Sequence, residues 1–509
     1  MASFDYDLIV VGAGSGGSVV ATRVSEDPRI RVLLIESGPD YPNLEALPED
    51  LRNGNHNSFF DHDWRLRYQP STTSRVSAFA RGRVTGGSSA VNTAIALRGV
   101  PSDYDEWASY GNPLWAWEKV LPHFIRLEND LDFGKTPIHG DSGPLPIRRY
   151  PREELVPFQA AFLDACEELG YKKCLDHNDP IDTGYAPHPM NKIDGRRMSA
   201  AVCYLTPAVR ARANLTIRAN TLVHRVRLDK ERVVGIEVET DGRIETLRAD
   251  RVVLCGGAIA TPGVLLRSGI GPRAALDRMG VRMAVENHGV AARLLDHPGV
   301  AVVMVPKPRI APRSHPLIQV GLRYRTPDSP LPNNMMCQPG GFLQFPQAIA
   351  PLVNIMGHLG KPRGAGRIAY PSADPRAHPI IDGDMLHDPD DRAEALYALE
   401  LFYRLASTTP LKKLAYFFWP PERALRTAEG REAWVWRVCG SGYHPCGSVP
   451  MGADADPGAA LDQYGRVRGV TGLHVADASI VPTVPSSNTN LPSMMIGERF
   501  GAWFRDGIL

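Results

Sequence analysis

Two groups of residues in this chain could do chemistry. Near one end, Gly12, Gly14 and Gly17 form a G-x-G-x-x-G run with Ser15 inside it, and Glu36 stands 19 residues past Gly17. Glycines at that spacing make a tight turn, let backbone approach a pyrophosphate, and let a helix pack closely on a strand. A carboxylate at Glu36 can accept hydrogen bonds from ribose hydroxyls, and its charge argues against a 2′-phosphate, which leaves FAD or NAD. Near the other end, Gly442-Tyr443-His444-Pro445-Cys446-Gly447 places an imidazole in a tight turn whose backbone Pro445 restricts. Imidazole is suited to abstract an alcohol proton near neutral pH. Asn488, within Ser486-Ser487-Asn488-Thr489-Asn490, could hydrogen-bond the substrate oxygen beside His444. The competing readings are a plain glycine-rich turn and a satisfied structural histidine.

The elements around these residues decide between the readings. Leu8-Ile9-Val10-Val11 is an apolar run of the kind buried on both faces of a parallel sheet. Val19, Val20, Ala21 and Val24 then recur at helical spacing, and Val32-Leu33-Leu34-Ile35 ends in Glu36. This is a βαβ unit, and it favours dinucleotide binding, with phosphates at the helix N-terminus. Gly82 to Asn92 is too rich in glycine and serine for a regular element before Asn92; Gly86-Gly87 followed by Ser88 can wrap backbone around a ligand. From Leu215 to Leu254 strands alternate with turns at Asp229–Arg232 and Asp241-Gly242, a small sheet that returns to the dinucleotide-binding part. Gly256-Gly257 follows it and starts a helix with Pro262 in its first turn, ending at Ser268-Gly269. Leu473-His474-Val475 is a strand end before Asp477 and Ala478. The last helix begins at Asn490 to Pro492, and its N-terminus, aimed at a flavin ring, could stabilise the negative charge that reduction creates.

At 509 residues the chain is long enough for two domains, possibly interleaved, with an ample core. Lys+Arg 57 against Asp+Glu 56 gives a net charge of +1, which suggests neither nucleic acid nor an anionic membrane as a partner. No apolar run reaches the length of a membrane span, and Tyr6 opens a strand too early for a signal peptide. The 7 cysteines are scattered and lack C-x-x-C spacing, which argues for reduced thiols and against a disulfide framework or zinc site. A cytoplasmic protein with no metal is the expectation. Pro39 to Phe79 reads as a long surface excursion, and Phe158 to Leu169 and Asp388 to Leu405 as helices. The proline-dense stretch after Pro306, with Phe342, Trp419 and Tyr443 as weak pocket candidates, reads as a second, mixed domain forming a pocket wall.

Taken together, these motifs resemble the glucose–methanol–choline (GMC) oxidoreductase family from end to end. Gly82 to Asn92 resembles its first signature, Gly257 to Gly271 its second, and Tyr443-His444-Pro445 with Asn488-Thr489-Asn490 its catalytic region. The resemblance implies an α/β fold: a Rossmann-like FAD-binding domain (1–150, 195–303 and 440–509) interleaved with an α+β substrate domain (151–194 and 304–439) whose antiparallel sheet is flanked by helices. It implies His444 as the base and Asn488 as its partner while hydride passes to the flavin. Arg83, Gly86, Gly87, Ser88, Asn92 and Thr93 are then expected at the cofactor, with Val223, Gly256, Asp477, Ala478, Asn488 and Thr489. Thr85, Val449-Pro450 and Ala292-Arg293 depart from the family pattern. Val91 stands where members with covalent FAD can carry histidine, so noncovalent FAD is expected. Within the family, Leu127 to Pro146 and Val475 to Pro492 resemble bacterial primary-alcohol oxidases of the hydroxymethylfurfural and aryl-alcohol type, with a likeness to choline dehydrogenases as well. The implied substrate is a small primary alcohol and the acceptor O2; a quinone or other acceptor is the alternative, and a hydroxynitrile lyase or a nonenzymatic FAD-binding protein the remote ones. A monomer or homodimer is expected.

Overall fold

The computed structural model describes residues 4–345 and 348–509. Tyr6–Val11 (β1), Ser15–Val24 (α1) and Val32–Ile35 (β2) form the βαβ unit. Pro157–Glu168 (α2) and Gly184–Pro187 (β3) follow, then Leu215–Arg218 (β4), Thr221–Asp229 (β5), Arg232–Thr240 (β6), Arg243–Leu254 (β7) and Gly257–Arg267 (α3). Pro298–Pro306 (β8), Val320–Tyr324 (β9), Met335–Gly340 (β10) and Val353–Leu359 (β11) come next. Pro389–Ala406 (α4), Ala415–Trp419 (β12), Gly440–Ser441 (β13), Leu473–Val475 (β14) and Asn490–Arg505 (α5) complete the frame of the site.

The strands form two large sheets. In the first the order is β4-β2-β1-β7-β6-β5, with β14 beside β7. β1 runs parallel to β2 and β7, whereas β5, β6 and β7 form antiparallel hairpins. The parallel strands are covered on both faces, which is why Leu8 to Val11 and Val32 to Ile35 are apolar without alternation and buried throughout. On one face α1 carries α5: Arg23 donates to the buried Glu498 carboxylate at 2.8 and 2.9 Å, and Tyr204 Oη donates to it at 2.7 Å. The second sheet runs β12-β8-β11-β10-β9-β3, with β13 beside β8, and all its pairings are antiparallel. The helix α4, started by the Asp388 carboxylate accepting from the Asp390 and Asp391 N–H groups, buries Leu399, Phe402 and Leu405.

Several expectations need correction. The expected break at 303/304 falls inside β8, all of which belongs to the second sheet, because its buried residues Val300, Val302 and Met304 continue through that point. The break at 439/440 also falls too early, since Gly440 and Ser441 pair with Gly299 and Pro298. Gly87–Ala90 forms a short 3₁₀ helix where no regular element is expected. Pro39 to Phe79 is not merely superficial: Leu51, Leu66, Tyr68 and Phe79 are buried. Pro262 lies in the second turn of α3, not the first.

The position of Pro262 has an energetic consequence. Proline has no N–H to give the carbonyl four residues earlier. That carbonyl belongs to Ala258, and it accepts instead from Ser448 Oγ at 2.7 Å in a buried setting. Ser448→Ala should therefore destabilise the protein by about 1–3 kcal/mol, the cost of an unsatisfied buried acceptor, read as a lower urea midpoint of unfolding. In a Pro262→Ala background, where residue 262 regains an N–H, the same substitution should cost measurably less.

Candidate active site

A cavity of about 870 Å³ lies between the two sheets, at the carboxyl ends of β1 and β2. In open α/β sheets ligands bind at that edge. Gly12, Gly14, Ser15 and Glu36 face it from the first sheet; Gly299, Ala301, Gln338, Met356 and His358 face it from the second. The wall between them includes Arg83, Gly87, Ser88, Asn92 and Thr93. Val223, Gly256, Asp477, Ala478, Asn488 and Thr489 line it as well. Gly17 and Gly86 are absent from the wall and act by packing. A Cβ on Gly17 would fall 1.9 Å from the Gly12 carbonyl oxygen, so only glycine lets α1 seat on β1. Gly86 N–H donates to the Ala13 carbonyl at 2.7 Å and ties the second glycine-rich loop to the first.

This end of the cavity is lined by backbone, one carboxylate and unpaired polar atoms, features that fit a dinucleotide. Gly14 and Gly87 meet so closely that a Cβ on Gly87 would lie 2.7 Å from the Gly14 Cα, which leaves a cradle lined by backbone. The Glu36 carboxylate accepts from Ala13 N–H at 3.0 Å and Gly38 N–H at 2.9 Å. Burial pushes its pKa up to about 7 despite those bonds, so hydroxyl donors entering beside it would be favourable. Asn488 Oδ1 and Asn490 Nδ2, both at the start of α5, are buried without a partner among the described residues. Asp477 is fully engaged: it accepts from Gly257 N–H, Thr261 Oγ1 and both donors of Ser479, fastening the start of α3 to the segment after β14. Only its backbone and that of Ala478 are left for a ligand.

At the other end three buried imidazoles meet. His297 Nε2 lies 2.9 Å from the Pro485 carbonyl and 3.2 Å from that of Gly360, so it must carry a proton. Burial holds this ring neutral by pushing its pKa down to about 4, so its Nδ1 is a lone pair. His444 Nδ1 sits 2.8 Å from that lone pair and must donate to it. His444, held well below the usual histidine range first by burial and then by its histidine neighbours, is therefore the Nδ1–H tautomer with Nε2 free to accept. Asn488 Nδ2 donates to that Nε2 at 2.9 Å. The turn is held as tightly as the ring. Asp296 accepts from the N–H groups of His297 and His444 at 2.7 and 2.9 Å and from the Ser441 hydroxyl, and the intervening Tyr443 has φ +63°. Such a site can accept a proton from a hydroxyl at one defined nitrogen. One nitrogen each of His297, His358 and His444 lies within 4.8 Å of the others, a spacing a cation could share, but protons already account for the contact between His297 and His444.

The GMC oxidoreductase family matches this chain over residues 6–299 in its N-terminal part and 362–497 in its C-terminal part. The chain belongs to that family. A 5-(hydroxymethyl)furfural oxidase of Methylovorus sp. (strain MP688) is 32% identical over 526 residues, covering 97% of each chain. An oxygen-dependent choline dehydrogenase of Brucella anthropi is 31% identical over 528 residues, covering 97% of this chain and 94% of the relative. The crystal structure of pyridoxine 4-oxidase from Mesorbium loti is similar with a TM-score of 0.90 at 30% identity, covering 99% of both chains. This GMC oxidoreductase is thus an FAD-dependent enzyme acting on alcohols. No helix among its described residues is long and apolar enough to cross a membrane.

Two pocket expectations fail. Trp419 is 39% exposed and packs edge-on against Trp434, away from the cavity, because β12 is the outer strand of its sheet. Phe342 lies one layer behind the wall, against His56 and beside Leu317 and Ile318. Tyr443 does line the cavity. Asp296, His297, His358 and Gln338 were missed. His297-Pro298 repeats the His444-Pro445 pair, but so do His188-Pro189, His315-Pro316 and His378-Pro379, so the sequence did not single it out; His358 and Gln338 emerge only from strand register. Among the departures, Arg293 donates to the carbonyls of Pro482 at 2.6 Å and Gly447 at 3.3 Å, bracing both segments behind the site. The Thr85 hydroxyl is buried without a partner among the described residues, and nothing in the structure explains it.

His177, His188, His297, His358 and His444 are all held below the ordinary histidine value by burial, His177 and His297 to about 4. Their folded pKa values lie below the unfolded value of about 6.5, so the stability they contribute is complete above that pH and is lost as pH falls toward 4. The thermal midpoint of the holoenzyme should drop between pH 7 and pH 5, and a midpoint that stays level across that range would contradict the assignment of neutral rings.

Proposed function

We propose that this enzyme oxidises a primary alcohol, aromatic and furfuryl alcohols included, to the aldehyde, with His444 as general base and O2 as the final acceptor. The observation that carries the reading is the chain from the Pro485 carbonyl through His297 to His444, which leaves one imidazole nitrogen unprotonated on the cavity wall beside Asn488. FAD, when bound, supplies the hydride acceptor. The turn from Gly12 to Gly17 and the Glu36 carboxylate would hold its pyrophosphate and ribose. The substrate hydroxyl would displace the Asn488 Nδ2 donor from the single Nε2 lone pair of His444; Asn488 would then donate to the substrate oxygen while the imidazole takes the hydroxyl proton at Nε2. His297 Nδ1 then keeps its bond from His444 Nδ1–H, so the ring need not turn when it becomes charged. The N–H groups that open α5 add positive potential at the same wall.

The oxidase relative supports O2 as acceptor and a furfuryl type of alcohol as substrate. Val91, on the cavity wall, offers no nucleophile, which supports noncovalent FAD. The seven cysteines are buried free thiols, which supports a reducing, cytoplasmic setting.

Anaerobic mixing with benzyl or furfuryl alcohol should bleach the flavin, and re-aeration should give hydrogen peroxide stoichiometric with aldehyde. Peroxide absent, with turnover only on an artificial acceptor, would instead make the enzyme a dehydrogenase. His444→Ala should slow flavin reduction by about 10²–10⁴-fold, the usual contribution of a positioned base, while the flavin spectrum remains. Acid precipitation should release all of the flavin into the supernatant; flavin retained on the pellet would mean a covalent link.

A further inference from the structure

A second chain of buried imidazoles lies over Gly321, on the face of the second sheet that carries Gln338. His177 Nε2 is 3.1 Å from the Gly184 carbonyl and must donate to it. Its Nδ1 is therefore a lone pair, and His188 Nδ1, 3.3 Å away, must be the donor in that contact. This assigns a lone pair to His188 Nε2, which faces the Gln338 amide at 3.1 Å. Only an N–H can oppose a lone pair, so the amide end at His188 is the NH₂ group, opposite to the orientation drawn from distances alone. Reversing the chain would set two acceptors against each other at Gly184. Charging a ring would escape that, but burial holds both rings well on the neutral side. The His188 ring cannot turn away, because it is fully buried and lies over Gly321, where a Cβ would come within 2.4 Å of its Cε1 and Nε2.

Gln338 sits on β10 opposite Met356 of β11, and side chains two apart on a strand share a face. Met356, His358 and Gln338 are therefore neighbours on the face that forms the cavity wall. One N–H of that NH₂ group points at His188, so the opposite end of the amide is the carbonyl oxygen, an acceptor at the cavity wall. Resting on the proposed alcohol oxidation, we propose that Gln338 is the specificity residue of this enzyme, its carbonyl accepting a hydrogen bond from a second O–H or N–H group on the alcohol. His177 and His188 are positioning residues that fix which end of the amide is presented. An alcohol without a second donor would cover that carbonyl without pairing it. Sites built to pair a substrate hydroxyl reject analogues that lack it for this reason.

The test is anaerobic flavin reduction in the holoenzyme with matched pairs: 2-, 3- and 4-hydroxybenzyl alcohol against the methylbenzyl alcohol substituted at the same position. At one position at least, the hydroxy compound should be favoured by about tenfold or more in second-order rate. Gln338→Met should bring that ratio toward one. His188→Phe frees the amide to turn, so it should lower the hydroxy preference and raise the relative rate of the corresponding methoxybenzyl alcohol, a gain that simple damage to the fold would not produce. Equal rates for every pair in the wild type, or a preference that survives Gln338→Met, would overturn this inference alone. Flavin that no alcohol reduces would remove the alcohol-oxidation reading, and this inference with it.

Discussion

The proton shared between His297 Nδ1 and His444 Nδ1 is the constraint on which the site depends. Everything around it serves to keep one ring a donor and the other an acceptor. Two backbone carbonyls hold the far side of His297, burial keeps both rings neutral, and Asp296 clamps the backbone that carries His444. An imidazole left to itself exchanges tautomers freely in water, and only a fixed partner on one nitrogen determines which lone pair the other presents. The partner here is another histidine, unlike the carboxylate that often plays this part. A carboxylate would hold a proton on the ring and raise its pKa, whereas a neutral imidazole orients the base without making it cationic.

The two sheets divide the work. The first is parallel at its centre and offers glycine-rich turns and helix N-termini, which bind phosphates through backbone. The second is antiparallel, with alternating side chains, so one face can be a core and the other a polar wall bearing Gln338 and His358. The cavity exists because the last part of the chain returns to both: β14 joins the first sheet, β13 the second, and α5 lies on α1. His444 and Asn488 can face the cavity end lined by Gly12, Gly14 and Glu36 only through that closure. The buried histidines share one physical cost, since each must stay neutral where little water reaches it.

The first sheet and the glycine-rich turn at its edge were legible because they are local. The βαβ unit, its glycines and Glu36 lie within one short stretch, and a parallel strand buried on both faces needs only an apolar run to be recognised. His444 and Asn488 were singled out by residue type, and the resemblance raised their standing. The second domain was legible only in outline. Trp419 was mistaken for a pocket residue because aromatic mass looks the same on an outer strand as on a cavity wall. The break at 303/304 was misplaced because a strand's membership of a sheet depends on partners far along the chain, such as Val303 opposite Asn354.

The sequence by itself determined the dinucleotide turn, the helix that follows it, the acid that ends the second strand, and the identity of the imidazole in the last part of the chain. These are matters of residue type at short spacing, where steric and hydrogen-bonding requirements act within a few residues. Tertiary structure alone decided the tautomer of His444, the orientation of the Gln338 amide and the wall that carries His358. A lone pair and a proton look alike in a sequence. Which one a nitrogen presents follows from the carbonyl it touches, and Pro485 for His297 and Gly184 for His177 reach those rings only when the chain has folded.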